Sequence, residues 1–93
     1  MIKISEETQI TAMPDVVACA LGEGSALLNM KTGIYYNMNA TGSCIWASIE
    51  NSATLGDIYA AVESKFDVSG EDFHTDIQRL ITELVELGLA KLL

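Results

Sequence analysis

Apolar positions form short runs in the first part of the chain and follow helical spacing in the rest. The run Val16 to Leu21 lies between a proline-aspartate pair and a glycine-bearing turn, which is typical of a strand. Ser25 to Met30 and Ile34 to Met38 are two further runs. The segment Lys31 to Gly33 between them predicts a hairpin, because the last position of such a loop often needs a positive φ, which suits glycine.

From Asn39 onward the apolar positions recur at helical spacing. Asn39 or Thr41 is expected to cap a first short helix, since either side chain can accept a hydrogen bond from a backbone N–H of the first turn. Thr54 is expected to cap a second helix, with Asp57 three residues later as a weaker version of the capping box. The amphipathic spacing from Leu55 to Phe66 supports this second helix.

The third helix has the widest apolar surface. It is predicted to begin at Ser69 and to end at Gly88, which suits a left-handed cap. At 100° per residue its apolar positions cover an arc of about 160°, more than the roughly 100° that packs against one core. Either part of this helix faces a groove, or the small domain wraps around it on two sides. The apolar positions are Phe73, Ile77, Leu80, Ile81, Leu84, Val85 and Leu87.

The order of the elements predicts the architecture. Strands followed by helices indicate an α+β fold, winged helix-turn-helix-like, with a three-stranded antiparallel sheet followed by three helices. The chain has 93 residues, 49% of them hydrophobic, so residues 1–93 are expected to form a single domain around one core. Gln9 to Thr11 is a candidate for one more short strand, and Leu89 to Leu93 for an extended tail that packs back on the core.

The sequence contains little that suggests catalysis. His74 is the only histidine, and no Cys-His or Ser-His-Asp set of residues indicates an activated nucleophile. Cys19 and Cys44 have neither metal-ligand nor redox spacing, so they are expected to be buried free thiols. The sequence therefore predicts a protein that is not an enzyme, with no catalytic residue, no cofactor and no metal site.

The charge of the chain limits its partners. A net charge of −8 repels phosphate backbones, and the third helix carries Glu and Asp where a helix that reads a DNA groove carries Arg, Lys and Asn. No apolar run approaches the roughly 18 residues of a membrane span, and the first residues do not resemble a secretory signal. We expect a cytoplasmic protein without a nucleic-acid or membrane partner. A winged-helix transcriptional regulator is the alternative from another functional class.

The last strand of the hairpin has large side chains on both faces. Ile34, Tyr36 and Met38 point to one side, and Tyr35 and Asn37 point to the other. Such a strand is either central in its sheet or an edge that accepts a strand from another molecule through its free N–H and C=O groups. The other interpretation is that both tyrosines are ordinary core and rim residues.

The sequence around this strand resembles that of a known family. The segment Tyr35 to Gly42 (YYNMNATG), the following Ile45-Trp46 and the closing Gly88-Leu89 are similar to the PqqD-like family. Its members are also called precursor peptide recognition elements of RiPPs, the ribosomally synthesised and post-translationally modified peptides. The similarity extends over about Val16 to Leu92 and is greatest to the free-standing lasso-peptide B1 proteins.

The resemblance implies a domain that binds the leader segment of a ribosomally synthesised precursor peptide. The leader adds to the third strand, lies against the third helix and is delivered to a modifying or processing enzyme. For lasso-type members this enzyme is a leader peptidase. The alternative is PqqD proper, a peptide chaperone for a radical S-adenosylmethionine (SAM) enzyme. Carried over by position, the binding strand is Ile34, Tyr35, Tyr36, Asn37 and Met38. Helical spacing adds Phe73, Asp76, Ile77, Leu80 and Glu83 as candidates on the helix.

Overall fold

The computed structural model describes residues 4–66 and 70–93. Within these residues, three of the strands that precede the first helix form one antiparallel sheet, and three helices follow. The predicted α+β fold is therefore confirmed. The predicted helix start at Ser69 lies outside the described residues. The elements are β1 Gln9–Ala12, β2 Val16–Leu21, β3 Gly24–Asn29, β4 Tyr35–Met38, α1 Ala40–Ile49, β5 Ala53–Thr54, α2 Leu55–Phe66, α3 Glu71–Glu86 and β6 Ala90–Leu92.

The described strands form two small antiparallel sheets. One sheet, in the order β2-β3-β4, contains the predicted hairpin. The other has β1 at its centre, between β5 and β6. The short strand expected near Gln9 and the tail expected at the C-terminus are therefore partners, and Leu93 N–H donates to the Gln9 carbonyl at 2.9 Å. β5 is not predicted by the sequence, because its two residues are too few to show a period.

The turn between β3 and β4 is organised by a buried asparagine. Gly33 has the positive φ that the hairpin predicts, +79°. The Oδ1 atom of Asn29 accepts hydrogen bonds from the N–H groups of Lys31 (2.9 Å) and Thr32 (3.2 Å). Its Nδ2 atom donates to the carbonyl of Gly88 at 3.1 Å. Since Gly88 follows α3, this one side chain ties the hairpin to the end of that helix.

The caps of the first two helices follow from the side chains at their starts. Asn39 caps α1, as its Oδ1 atom accepts a hydrogen bond from Gly42 N–H at 3.0 Å. Before α2, Thr54 Oγ1 accepts from Asp57 N–H at 3.1 Å, and Asp57 Oδ2 accepts from Thr54 N–H at 3.3 Å. The capping box predicted from the sequence is therefore formed.

The end of α3 returns the chain to the core. Gly88 has φ +74°, as expected for a left-handed cap. Gly88 N–H donates to the Val85 carbonyl at 3.1 Å, and Leu89 N–H donates to the Leu84 carbonyl at 2.9 Å. These two bonds form a Schellman motif, after which the buried Leu89 leads into β6.

One cluster of buried apolar residues joins both sheets to all three helices. α3 contributes its inner face to this cluster, whereas β2 contributes no buried residue. The fully buried members with the largest side chains are Ile10, Leu27, Ile45, Ile49, Leu55, Ile58, Ile77, Ile81, Leu84 and Leu89.

The prediction that both cysteines are buried is wrong. They are free thiols, but Cys19 is exposed and Cys44 is half-buried. The apolar run that contains Cys19 forms an edge strand that is open on both faces, so its apolar residues do not indicate a place in the core.

Candidate functional site

β4 forms an edge of the β2-β3-β4 sheet, and within residues 4–66 and 70–93 it pairs with β3 alone. The N–H of Asn29 donates to the carbonyl of Ile34 at 2.9 Å. Hydrogen-bonded and non-hydrogen-bonded pairs alternate along an antiparallel ladder. Tyr36 therefore turns its backbone N–H and C=O toward β3, whereas Tyr35 and Asn37 present theirs at the open edge of the sheet.

The side chains of β4 alternate as the sequence predicts. Met38 is buried and Tyr36 is half-buried on the face toward the helices. Tyr35 is 58% exposed, and Asn37 is exposed as well, on the opposite face. Ile34 lies immediately before the strand and is half-buried. Because β4 is last in the order β2-β3-β4, it is an edge strand and not a central one, which decides between those two interpretations of the sequence.

A groove of about 640 Å³ lies beside β4. β4 and the part of α3 from Asp72 to Leu80 line two of its sides, the first turns of α1 line a third, and α2 contributes its last residue, Phe66. A Cβ atom on Gly42 of α1 would lie 2.8 Å from the Cβ of Met38, so glycine lets β4 approach α1 closely. The apolar residues that line the groove are Met38, Ile45, Phe66, Phe73, Ile77 and Leu80.

The structure brings most of the predicted site residues together at this groove. Ile34, Tyr35, Asn37 and Glu83 do not line it; Tyr35 and Asn37 instead offer backbone groups to the edge while their side chains face away. The predicted residues that line the groove are Tyr36, Met38, Phe73, Asp76, Ile77 and Leu80. Sequence reasoning missed the other lining residues, which are Asn39, Thr41, Gly42 and Ile45 at the start of α1, Phe66 of α2 and Asp72 of α3. The signal for the α1 residues is the segment directly after the strand, which indicates the helix cap and the family resemblance but was not assigned to the site.

The apolar face of α3 serves two purposes. Ile81 and Leu84 are buried against the core, whereas Phe73 and Leu80 are half-buried and line the groove. Ile77 lies between the two sets and is 2% exposed. The wide arc of apolar positions is therefore explained by a groove on one side of the helix.

A hydrogen bond joins β4 to α3 at one end of the groove. Tyr36 Oη donates to Glu83 Oε2 at 2.7 Å. Burial, together with the neighbouring Glu83 carboxylate, raises the pKa of Tyr36 from its usual 10.0 to about 12. Leu80, one turn before Glu83, lines the groove, but Glu83 does not. The bond therefore closes the groove at the end nearest the C-terminus of α3.

The rim of the groove is acidic. Asp72 and Asp76 line it from the first two turns of α3, and both are exposed. Arg79 Nη1 lies 3.7 Å from Asp76 Oδ1, but both side chains are largely exposed, so this ion pair contributes little. In a chain of net charge −8, this rim favours a ligand with basic groups beside its apolar ones.

His74, the single histidine, does not line the groove and packs against α2. The His74 ring stacks on Tyr59 at 3.8 Å between centroids, with 7° between the planes. Gln78 Nε2 donates to Tyr59 Oη at 2.7 Å, so two residues of α3 hold one residue of α2. Among the described residues, no group of three His, Cys, Asp or Glu side chains is arranged to hold a metal ion. The described helices include none with the length and hydropathy needed to cross a bilayer.

Two solved structures share this fold. The first is TbiB1 in complex with the TbiA(beta) leader peptide, with 23% identity and a TM-score of 0.78; the match covers 87% of this chain and 94% of that one. The second is a lasso peptide synthetase B1 complexed with the leader peptide, with 26% identity and a TM-score of 0.73, covering 88% and 96%. Among curated proteins there is no match.

A protein-family match covers the groove. The family described as coenzyme PQQ synthesis protein D (PqqD) matches residues 24–90. This range includes β3, β4 and all three helices, and hence every element that lines the groove. It also accounts for well over half of the 93 residues. The chain belongs to the PqqD family.

Proposed function

We propose that this protein binds the leader segment of a ribosomally synthesised precursor peptide. The leader lies as an added strand on the open edge of β4, with its side chains in the groove against α3. The observation that carries the proposal is that an open strand edge and an apolar groove lie side by side. The proposal is supported by the two B1 proteins of the same fold, whose structures contain leader peptides.

The backbone of β4 supplies part of the binding energy. The N–H and C=O groups of Tyr35 and Asn37 face the edge and can form up to four hydrogen bonds with an added strand. Each such bond contributes about 0.5–1.5 kcal/mol net. Because these bonds involve only the backbone, they bind any extended peptide and do not select a sequence.

The groove supplies the selectivity. Alternate side chains of an added strand point toward α3, where the half-buried Phe73 and Leu80 present apolar surface beside the buried Ile77. Two or three buried anchors at about 1.5–3 kcal/mol each, less the cost of ordering the leader, correspond to micromolar or somewhat tighter affinity. Asp72 and Asp76 at the rim favour a leader with Lys or Arg next to these anchors.

The bound leader is delivered to a separate enzyme, and the protein itself catalyses no step. A lasso-type leader peptidase is favoured, because the similarity to a lasso peptide synthetase B1 covers 88% of this chain. The alternative is a radical SAM enzyme, which PqqD proper serves. Leader cleavage by the purified peptidase should be faster when this protein is added. No change with the peptidase, and faster modification by the radical enzyme, would favour the alternative.

A proline in the strand edge tests the mode of binding. Asn37→Pro removes an N–H that faces the open edge and leaves the β3–β4 ladder intact. Ala20→Pro is the matched control, because Ala20 has the corresponding orientation at the opposite edge of the same sheet. In a calorimetric titration with the synthetic leader peptide of the neighbouring precursor gene, Asn37→Pro should weaken binding about tenfold or more. Equal affinities for the two variants would contradict strand addition.

A further inference from the structure

β2, at the other edge of the sheet, is the most exposed strand of the fold. Its sequence, VVACAL, contains no charged residue and no proline, and all of its residues after Val16 are exposed. Val17 is 50% and Leu21 is 55% exposed. In the part of the chain that the structure describes, β2 pairs only with β3. A flat apolar edge without charge, proline or bulge is a template for pairing with another strand.

We propose that β2 pairs with β2 of a second copy of this chain. The two strands run antiparallel around a twofold axis that passes beside Cys19. The contact joins two three-stranded sheets into one sheet of six strands. Its outermost strands are the two copies of β4, so both edges that the proposed function requires stay open.

The backbone of β2 is oriented for this contact. Met30 N–H donates to the Asp15 carbonyl at 2.8 Å, which fixes the hydrogen-bonded pairs of the β2–β3 ladder. Since these pairs alternate, Cys19 turns its backbone toward β3, whereas Ala18 and Ala20 turn theirs to the open edge. Two free N–H and two free C=O groups are therefore available per copy.

Symmetry limits the registers to those centred on one residue. Residues that lie opposite each other in an antiparallel pair point to the same face of the sheet, and residues on one face of a strand differ by an even number. A twofold axis between two copies of β2 therefore pairs residues whose numbers differ by an even amount. With Cys19 opposite Cys19, Ala18 is opposite Ala20, and their outward backbone groups meet. Val17 is then opposite Leu21, which covers the two large exposed side chains of the strand.

Charge limits the registers in which two copies can pair along β2. Each chain has a net charge of −8, so two copies repel each other at most contacts. In the register centred on Cys19 every residue of β2 lies opposite an uncharged residue, and the nearest carboxylates, Asp15 and Glu23 of the two copies, lie opposite each other beyond the ends of the strand. A register centred on Ala18 would place Asp15 opposite Leu21 and is therefore disfavoured. A single strand edge buries less than the roughly 800 Å² per partner of a standard interface, so the dimer should depend on concentration.

Two leucine substitutions test the contact. Leu21→Lys puts two charges into the dimer seam, whereas Leu93→Lys makes the same change at a similarly exposed leucine outside β2 (55% and 63% exposed). By sedimentation, the mass of the wild type and of Leu93→Lys should rise above 10.0 kDa with concentration. Leu21→Lys should associate at least about tenfold more weakly. A wild type that stays monomeric into the millimolar range, or a dimer insensitive to Leu21→Lys, would overturn the proposal.

The thiol of Cys19 tests the register, in a Cys44→Ala background that leaves one cysteine. Opposite residues of a non-hydrogen-bonded pair have Cα atoms about 4.5 Å apart, within the range for a disulfide. Diamide, which takes two electrons and two protons from the two thiols, should therefore cross-link the dimer. A thiol moved by Cys19→Ser with Val17→Cys lies roughly 13 Å from its counterpart and should not cross-link. Cross-linking by the moved thiol, or none by Cys19 in a dimeric sample, would contradict this register.

Discussion

At the scale of single residues, the face that a side chain occupies was easier to predict than its surroundings. The period of β4 places Tyr36 and Met38 inward and Tyr35 outward, because a strand alternates whatever its neighbours are. The exposure of Cys19 could not be predicted in this way. It depends on what packs against β2, and that is decided by residues far away in the sequence. The bond between Tyr36 and Glu83 likewise joins residues 47 positions apart.

The titration of Tyr36 tests this bond. Because its pKa is raised from 10.0 to about 12 in the folded protein, the neutral phenol stabilises the fold below pH 10.0, and this contribution is lost as the pH rises toward 12. The free energy of unfolding should fall more over this range for the wild type than for Tyr36→Phe, measured by urea denaturation. Glu83→Gln should lower the pKa of Tyr36, measured by phenolate absorbance. An unchanged pKa would remove Glu83 as one of its causes.

Leu80 tests the groove at a smaller cost to the core than a fully buried residue would. It is half-buried, lines the groove and packs against the edge of the core, so Leu80→Asp should weaken leader binding by about 1.5–3 kcal/mol, which is tenfold or more. Some loss of melting temperature is expected, and affinity is compared at a temperature at which the variant is folded. Leu93→Asp, at a leucine that is 63% exposed, is the control and should bind as the wild type does. Ile77 is unsuitable, since at 2% exposure an aspartate there would destabilise the fold itself. Unchanged affinity in Leu80→Asp would exclude the groove as the site.

At the scale of elements, the sequence predicts those that have a period or a cap of their own. The second helix is one example, since the reciprocal bonds of Thr54 and Asp57 are local. The second sheet is the opposite case. β1, β5 and β6 are two to four residues long, and their pairing joins the two ends of the chain, so no local pattern could show it.

Asn29 connects these elements, and its loss should therefore affect stability. Asn29→Ala removes the acceptor of the β3–β4 turn and the donor to the Gly88 carbonyl. We expect the free energy of unfolding to fall by about 1–3 kcal/mol, because two N–H groups of the turn and the carbonyl that follows α3 lose the partner that a buried side chain supplies. Urea denaturation measures this loss. Asn37→Ala, at an exposed asparagine, should change stability by less than about 0.5 kcal/mol. A similar small effect at Asn29 would mean that the turn and α3 hold together without it.

At the scale of the whole molecule, function follows from how two surfaces are joined. The large side chains on both faces of β4 left open whether the strand is central or an edge, and the wide apolar arc of α3 left open whether the helix faces a groove. The adjacency of the open edge and the groove could not be derived from either pattern, because it depends on how α1 and α3 pack around Met38. The family resemblance supplied that relation before the fold did. The resemblance assigned no binding role to α1, although its motif runs from the strand into the start of that helix.

The most direct measurement is hydrogen exchange at single amides by NMR, with and without the synthetic leader peptide of the neighbouring precursor gene. The amides of Tyr35 and Asn37 face the open edge of β4, so they should exchange fast in the free protein and slowly in the complex. Ala18 and Ala20, at the opposite edge of the sheet, are the internal control. In a dilute sample their exchange should be unchanged by the leader. Protection confined to Ala18 and Ala20, or no protection at saturating peptide, would contradict leader binding on β4.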